Sequence, residues 1–191
     1  MTARQPRTPP EPGDAALVAQ ALAGRQAGYS GLLRRHREAV FRLARNHLPD
    51  EADALDVTQE CFVAAFAALR RYDPARPFRS WLLRIALNKC RDWGRRRAVR
   101  AFFTFAKPLD DALAVADSAP DPESALSASQ EMERLRKAIA ALPSALKDPL
   151  LLCAIEGLSQ DEAAQVLGVS RKAVETRIYR ARQKLGETFE G

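Results

Sequence analysis

Five side chains on one expected helix are spaced for contact with nucleic acid. Trp81, Arg84, Asn88, Arg91 and Arg95 follow one another at alternating intervals of three and four residues, which puts them on a single helical stripe. The arginines suit a phosphate backbone, and the indole and amide suit unpaired bases that stack or hydrogen-bond. A second set, Arg171, Lys172, Glu175, Thr176, Tyr179 and Arg180, lies on a helix expected to open at Ser170. Long cationic and hydrogen-bonding side chains in that arrangement suit base edges and phosphates in a major groove. Taken singly, either segment is also compatible with a solvated basic helix face.

The charge distribution sharpens this reading. The chain has 191 residues and a net charge of +6, from 30 basic and 24 acidic residues. Residues 89–100 hold six basic residues and Asp92; residues 170–185 hold six and Glu175. Each segment therefore carries +5, and the remainder of the chain is mildly acidic. Two basic segments on an acidic body fit two nucleic-acid contacts.

Catalytic chemistry finds little support. His36 and His47 are the only histidines, and the sequence has no glycine-rich phosphate loop and no clustered metal ligands. Cys61, Cys90 and Cys153 are far apart and form no CxxC pair, so they read as buried, inert thiols. No cofactor and no metal is expected. No apolar run approaches the ~18 residues of a membrane span, and residues 1–13 hold four prolines and no apolar core of a signal peptide. These features point to a cytoplasmic protein without membrane insertion.

The elements that must position these residues are helices. Apolar residues make up 47% of the chain against only 9 glycines and 3 tyrosines, and Ala, Leu and Arg dominate, a composition that favours helix over sheet. After a disordered tail (1–13), Asp14 is expected to cap a helix over 15–23 that ends at Gly24. Further helices are expected over 32–48, stopped by Pro49, over 53–69, with Phe62 and Phe66 at i, i+4, and over 78–97. The loop at 71–77 lies between the last two. Residues 106–129 hold Pro108, Pro120, Pro122 and five acids against Lys107, which reads as an acidic linker. Helices resume over 131–141 and 144–156, where Pro149 either starts a new turn or kinks the helix.

Beyond Gly157 the local signals become specific. Ser159 and Glu162 form a capping box, a short helix runs to Leu167, Gly168 and Val169 make a tight turn, and Ser170 caps a helix to about Leu185. This is the helix-turn-helix pattern. On a helical wheel Val174, Ile178, Ala181 and Leu185 share an arc of about 60°. Lys172, Thr176, Tyr179, Arg180 and Gln183 lie away from it.

These residues closely resemble bacterial extracytoplasmic-function sigma factors. Residues 56–62 (DVTQECF), 77–88 (PFRSWLLRIALN) and 95–97 (RRR) are similar to their promoter −10 domain. Residues 142–143 (LP), 157–164 (GLSQDEAA) and 174–182 (VETRIYRAR) are similar to their −35 domain. The resemblance implies an all-α fold of two small helical domains. An N-terminal bundle (14–100) and a C-terminal helix-turn-helix domain (130–188) would be joined by a flexible acidic linker (101–129). It implies a non-enzymatic factor that binds core RNA polymerase and directs it to promoter DNA. Asp56, Gln59, Glu60 and Phe62 would face the clamp helices of the largest polymerase subunit, and the C-terminal domain would meet the flap region. The loop bearing Tyr72, Asp73 and Arg76 would hold a flipped −10 base near Trp81 and Asn88. The linker would thread toward the active centre and RNA exit path. An anti-sigma factor is an implied partner.

The chain also departs from the family pattern. Glu175 stands where Lys or Arg is common, so the −35 preference would differ. The loop at 71–77 has two prolines, Pro149 interrupts a usually continuous helix, and residues 26–31 are rich in glycine. The competing reading is a one-component helix-turn-helix regulator. Its sensing domain would need a ligand pocket or dimerisation helix rather than a basic-aromatic stripe. Prolines and like charges make 106–129 the expected site of first cleavage by a protease, with release of two helical fragments. Gel electrophoresis with mass spectrometry of a brief digest checks this; early cuts within 53–97 would contradict it.

Overall fold

The computed structural model describes residues 12–104 and 123–190. Most of the expected tail and linker lies outside these residues. Every regular element among those described is helical. The N-terminal half comprises α1 (Asp14–Leu22), α2 (Gln26–His47), α3 (Glu51–Ala68), a 3-10 turn (Leu69–Arg71) and α4 (Phe78–Thr104). The C-terminal half comprises α5 (Glu123–Ala141), α6 (Ser144–Leu150), a π-helical turn (Leu151–Ile155), α7 (Gln160–Leu167) and α8 (Arg171–Glu190).

Several boundaries differ from the sequence expectation. Gly13, not Asp14, occupies the N-cap of α1. The Asp14 carboxylate instead accepts from Arg35 Nη1 at 2.9 Å and meets His36 Nε2 at 3.1 Å, tying α1 to α2. Helix α2 begins at Gln26 rather than residue 32, taking in the glycine-rich stretch. The reason is tertiary: a Cβ on Gly28 would come within 2.4 Å of the Ala21 amide nitrogen and 2.6 Å of the Leu17 carbonyl oxygen. Gly28 lets two helix backbones touch and Gly31 makes room for the Leu17 side chain, contacts that outweigh the low helix propensity of glycine. Asp50 caps α3, its Oδ1 accepting from the Ala52 amide at 2.7 Å.

Helix α4 extends to Thr104 and α5 begins at Glu123, so helix occupies 101–104 and 123–129, which the expected linker of 101–129 had included. No proline stands between Pro77 and Pro108, and nothing therefore breaks α4 at residue 97. Pro122 immediately precedes α5 in sequence, a favourable residue at a helix start and a poor one further in. Pro149 neither ends α6 nor begins it. It lies inside the helix and is buried, and the wider π-helical turn follows two residues later.

One hydrophobic cluster runs through both halves, from Leu17 and Leu32 through Phe78 and Leu83 to Leu151, Leu152 and Val174. A smaller cluster of Ala44, Leu48, Ala54, Val57 and Cys90 packs with Phe41 and Trp93 at one end of the N-terminal bundle. Helix α2 touches α5 and the π-helical turn, and α4 touches α7. The N-terminal helices thereby form the platform on which the C-terminal half sits.

Gly28→Ala is expected to destabilise the chain by about 1–3 kcal/mol, because the new methyl meets backbone that cannot rotate away. Gly31→Ala should cost less, since its Cβ would meet only the tip of the Leu17 side chain. Urea unfolding of the two variants checks the order; equal or reversed losses would contradict it.

Candidate nucleic-acid interface

The helix-turn-helix is built by local hydrogen bonds. The Glu162 amide donates to Ser159 Oγ at 3.2 Å, and the Ser159 amide donates to Glu162 Oε2 at 2.8 Å. The bond from the Ser159 backbone holds the Glu162 carboxyl below its usual range. Gly168 ends α7 at φ 68°, the left-handed conformation that glycine adopts without a Cβ penalty. Ser170 Oγ then accepts from the Ala173 amide at 3.2 Å and opens α8.

On α8 the packed arc is as expected: Val174, Ile178 and Ala181 are buried and Leu185 is half-buried. Tyr179 is 63% exposed, and Arg171, Lys172, Glu175 and Arg180 are exposed beside it. Thr176 is half-buried, its hydroxyl donating to the Lys172 carbonyl at 2.9 Å. Glu175 pairs with Lys172 at 3.1 Å, not with Arg171 or Arg182. Arg171 turns instead toward Asp161 of α7, at 3.4 Å. Gln183 donates to the Tyr179 hydroxyl at 2.9 Å.

The N-terminal stripe is more constrained. Arg84, Asn88 and Arg95 are exposed and Arg91 is half-buried. Trp81 is half-buried in an aromatic group with Phe78 (5.4 Å between centroids) and Tyr72 (5.2 Å). The Tyr72 hydroxyl donates to the Arg76 carbonyl at 2.5 Å, and Asp73 Oδ1 accepts from the Ala75 amide at 3.0 Å. The 71–77 loop therefore closes on itself with Asp73 and Arg76 exposed at its rim. Arg95 pairs with Asp92. Arg91 donates to Asn88 Oδ1 at 3.2 Å and, through Nε, to Asp148 Oδ2 at 2.7 Å.

Asp56, Gln59 and Glu60 are exposed on α3 and border a groove of about 490 Å³ that also takes in Val63 and Lys89. Val63 is 71% exposed, an apolar residue on this face that the sequence reading passed over. Glu60 pairs with Lys89 at 3.3 Å. Phe62 does not belong to this face. It is 4% exposed and packs on Phe66 at 5.7 Å, because residue 62 falls on the core side of α3 with Thr58 and Ala65.

The largest omission from the sequence reading is a polar seam between the halves. Asp148 Oδ1 meets His47 Nε2 at 2.9 Å, and Lys147 Nζ donates to the His47 carbonyl at 3.1 Å. Arg42 donates to both oxygens of Glu156, at 3.0 and 3.1 Å, and Arg79 donates to Glu156 Oε2 at 2.7 Å. Burial lowers the pKa of His47 despite the Asp148 hydrogen bond, and the cations Lys147 and Arg91 add to that shift. Its Nδ1 is buried without a hydrogen-bond partner among the described residues. The neutral imidazole that donates from Nε2 fits both facts. Burial also lowers the pKa of Lys147. The only sequence signal for the seam was two acids, Asp148 and Glu156, flanking an apolar run.

Two of the three thiols are buried as expected, whereas Cys153 is only half-buried. Cys61 and Cys90 are buried; burial pushes the Cys61 thiol up to about 12 and raises that of Cys90 further. No helix among the described residues is long and apolar enough to cross a membrane.

A capped helix-turn-helix beside a helical bundle with an exposed arginine stripe is an arrangement suited to nucleic acid. Family models agree: Sigma-70 region 2 matches residues 32–100 and Sigma-70, region 4 matches residues 132–185. The RNA polymerase sigma factor CnrH of Cupriavidus metallidurans is 46% identical over 179 residues, 92% of this chain and 94% of the relative. The ECF RNA polymerase sigma factor SigM of Mycobacterium tuberculosis is 34% identical over 177 residues, 92% of this chain and 84% of the relative. The solved structure of CnrH in complex with the cytosolic domain of CnrY aligns with a TM-score of 0.68 at 38% identity. That alignment covers 93% of this chain and 97% of the other. The chain belongs to the extracytoplasmic-function family of RNA polymerase sigma factors.

Proposed function

We propose that this chain binds core RNA polymerase, directs it to promoters by reading −35 and −10 elements, and aids opening of the −10 element. The observation that carries the reading is the outer face of α8. Lys172, Glu175, Tyr179 and Arg180 stand exposed opposite an arc whose Val174 and Ala181 are fully buried, the disposition a groove-reading helix needs. The −10 contacts would come from Tyr72, Asp73, Arg76, Trp81, Arg84, Asn88, Arg91 and Arg95. Arg171 and Thr176 would complete the −35 set. The exposed Asp56, Gln59 and Glu60 would meet the clamp helices of the largest subunit, with Phe62 supporting α3 from the core, and the C-terminal half would meet the flap region.

In the same reading, residues 14–100 and 130–188 act as the two binding domains and 101–129 as the connection between them. An anti-sigma factor would hold the protein inactive, by likeness to CnrH, which was solved with a partner chain. The protein would work in the cytoplasm, at the nucleoid when active.

Gln59→Ala combined with Glu60→Ala should weaken core-polymerase binding at least tenfold and leave the thermal transition nearly unchanged, since both side chains are exposed. A pull-down titration with core enzyme measures it, and undiminished binding would contradict the polymerase contact. Glu175→Arg should change the preferred −35 base, a direct contact being worth about 1–3 kcal/mol of discrimination. Lys184→Ala should instead lower affinity for all sequences alike. Selection from a randomised −35 library tests both; identical preferences for wild type and Glu175→Arg would reduce Glu175 to the ion-pair partner of Lys172.

A further inference from the structure

The outer face of α8 carries one hydrogen bond that settles how a neighbouring group can bond to anything else. Gln183 stands one turn after Tyr179 on the same face, and helical side chains lean toward the N-terminus, so its amide reaches back to the tyrosine. Its Nε2 donates to the phenolic oxygen at 2.9 Å, and both residues are exposed. The phenol takes no second partner among the described residues. Glu175, one turn before Tyr179, is the carboxylate placed to claim the phenolic proton, and it is engaged by Lys172 at 3.1 Å instead. A phenol has one proton, held in the plane of its ring on one side of the oxygen, and an in-plane lone pair on the other side. A donor at the lone pair therefore directs the proton away from itself. An exposed bond of this kind is weak in water, and a groove that excludes water strengthens it.

We infer that Gln183 is a positioning residue that makes Tyr179 a hydrogen-bond donor toward one base of the −35 element, an inference that rests on the proposed −35 role of α8. Gln183 acts through the phenol and does not itself touch the base. In the major groove such a donor is accepted by O6 and N7 of guanine, by N7 of adenine and by O4 of thymine. Cytosine offers only its N4 amino group, which is a donor as well. The signature of the arrangement is discrimination against cytosine at a single −35 position. A carboxylate in place of the Gln183 amide reverses the polarity. It accepts from the phenol, draws the proton inward and leaves a lone pair facing the groove, which suits N4 of cytosine and N6 of adenine.

The test presents holoenzyme, assembled from core polymerase and the full chain, with a promoter library randomised at −35, and counts the selected sequences. The position read by Tyr179 is the one whose preference is lost in Tyr179→Phe. Wild type should disfavour cytosine there roughly tenfold. Gln183→Leu lets the phenol turn freely and should reduce that discrimination to about threefold or less. Gln183→Glu should abolish or reverse it, while the repulsion of its added charge from phosphate lowers selection of every base alike. With Tyr179→Phe in place, neither Gln183 variant should move the base ratios, a result that a direct contact from Gln183 or a general loosening of α8 would not give. Both positions are exposed, so the helical circular dichroism of every variant should match wild type. Equal discrimination in wild type and both Gln183 variants would overturn the inference, as would ratios that shift equally with Tyr179→Phe in place. So would a wild type that prefers cytosine and is unchanged by Gln183→Glu, which would mean that the amide carbonyl faces the phenol. In each of these cases wild type still selects a −35 sequence and the proposed function stands; a wild type that selects none overturns both.

Discussion

A carboxylate removed from water must be answered by positive charge and hydrogen bonds, and Glu156 meets that demand with two arginines from two different helices. Much of the architecture follows from it. The apolar cluster that runs through both halves supplies area but little direction, since burial of hydrocarbon is indifferent to small slides. The pairs at Glu156 and Asp148 supply the register. Moving α6 by one turn along α2 would strand two buried charges and place cations against hydrocarbon. The platform of α2 and α4 therefore matters twice, as the wall of the N-terminal core and as the source of the cations that seat the C-terminal half.

The two basic segments have the same formal charge in the sequence but differ in what they leave available. Along residues 89–100, Lys89 and Arg96 pair with Glu60, Arg91 with Asp148, Arg95 with Asp92 and Arg97 with Asp53, while the Arg97 guanidinium also lies 5.2 Å over the Trp93 ring. Along α8, Arg180, Arg182 and Lys184 are exposed and make no ion pair among the described residues. Exposed pairs exchange readily for other anions because each is worth only a fraction of a kcal/mol to about 1 kcal/mol. Arg91 is the exception, since its partner is buried. The field presented to an approaching polyanion is thus strongest at α8, and the stripe on α4 must first exchange partners.

What could be read from the sequence was what short-range chemistry determines. The Ser159–Glu162 capping box, the left-handed Gly168, the Ser170 cap and the packed arc of α8 each depend on residues within a turn or two, and each stands where the pattern put it. Features that depend on distant partners were not readable. Gly28 and Gly31 resemble a loop until α1 is laid against them. Asp14 resembles a cap until Arg35 and His36 claim its carboxylate. Asp148 and Glu156 resemble ordinary surface acids until three arginines and His47 from α2 and α4 are brought to them. Phe62 carried a family expectation that the side-chain direction on α3 does not support.

The buried thiols give the molecule a property unrelated to its partners. Alkylating reagents attack thiolate, and Cys61 and Cys90 are both shielded from solvent and held far from ionisation. They react only when the N-terminal bundle itself comes apart, whereas Cys153, beside the seam on the π-helical turn, is partly open to solvent. One chain thus carries three natural probes on two schedules. Their modification rates separate a loosening of the C-terminal half from loss of the bundle beneath it, without a single added label.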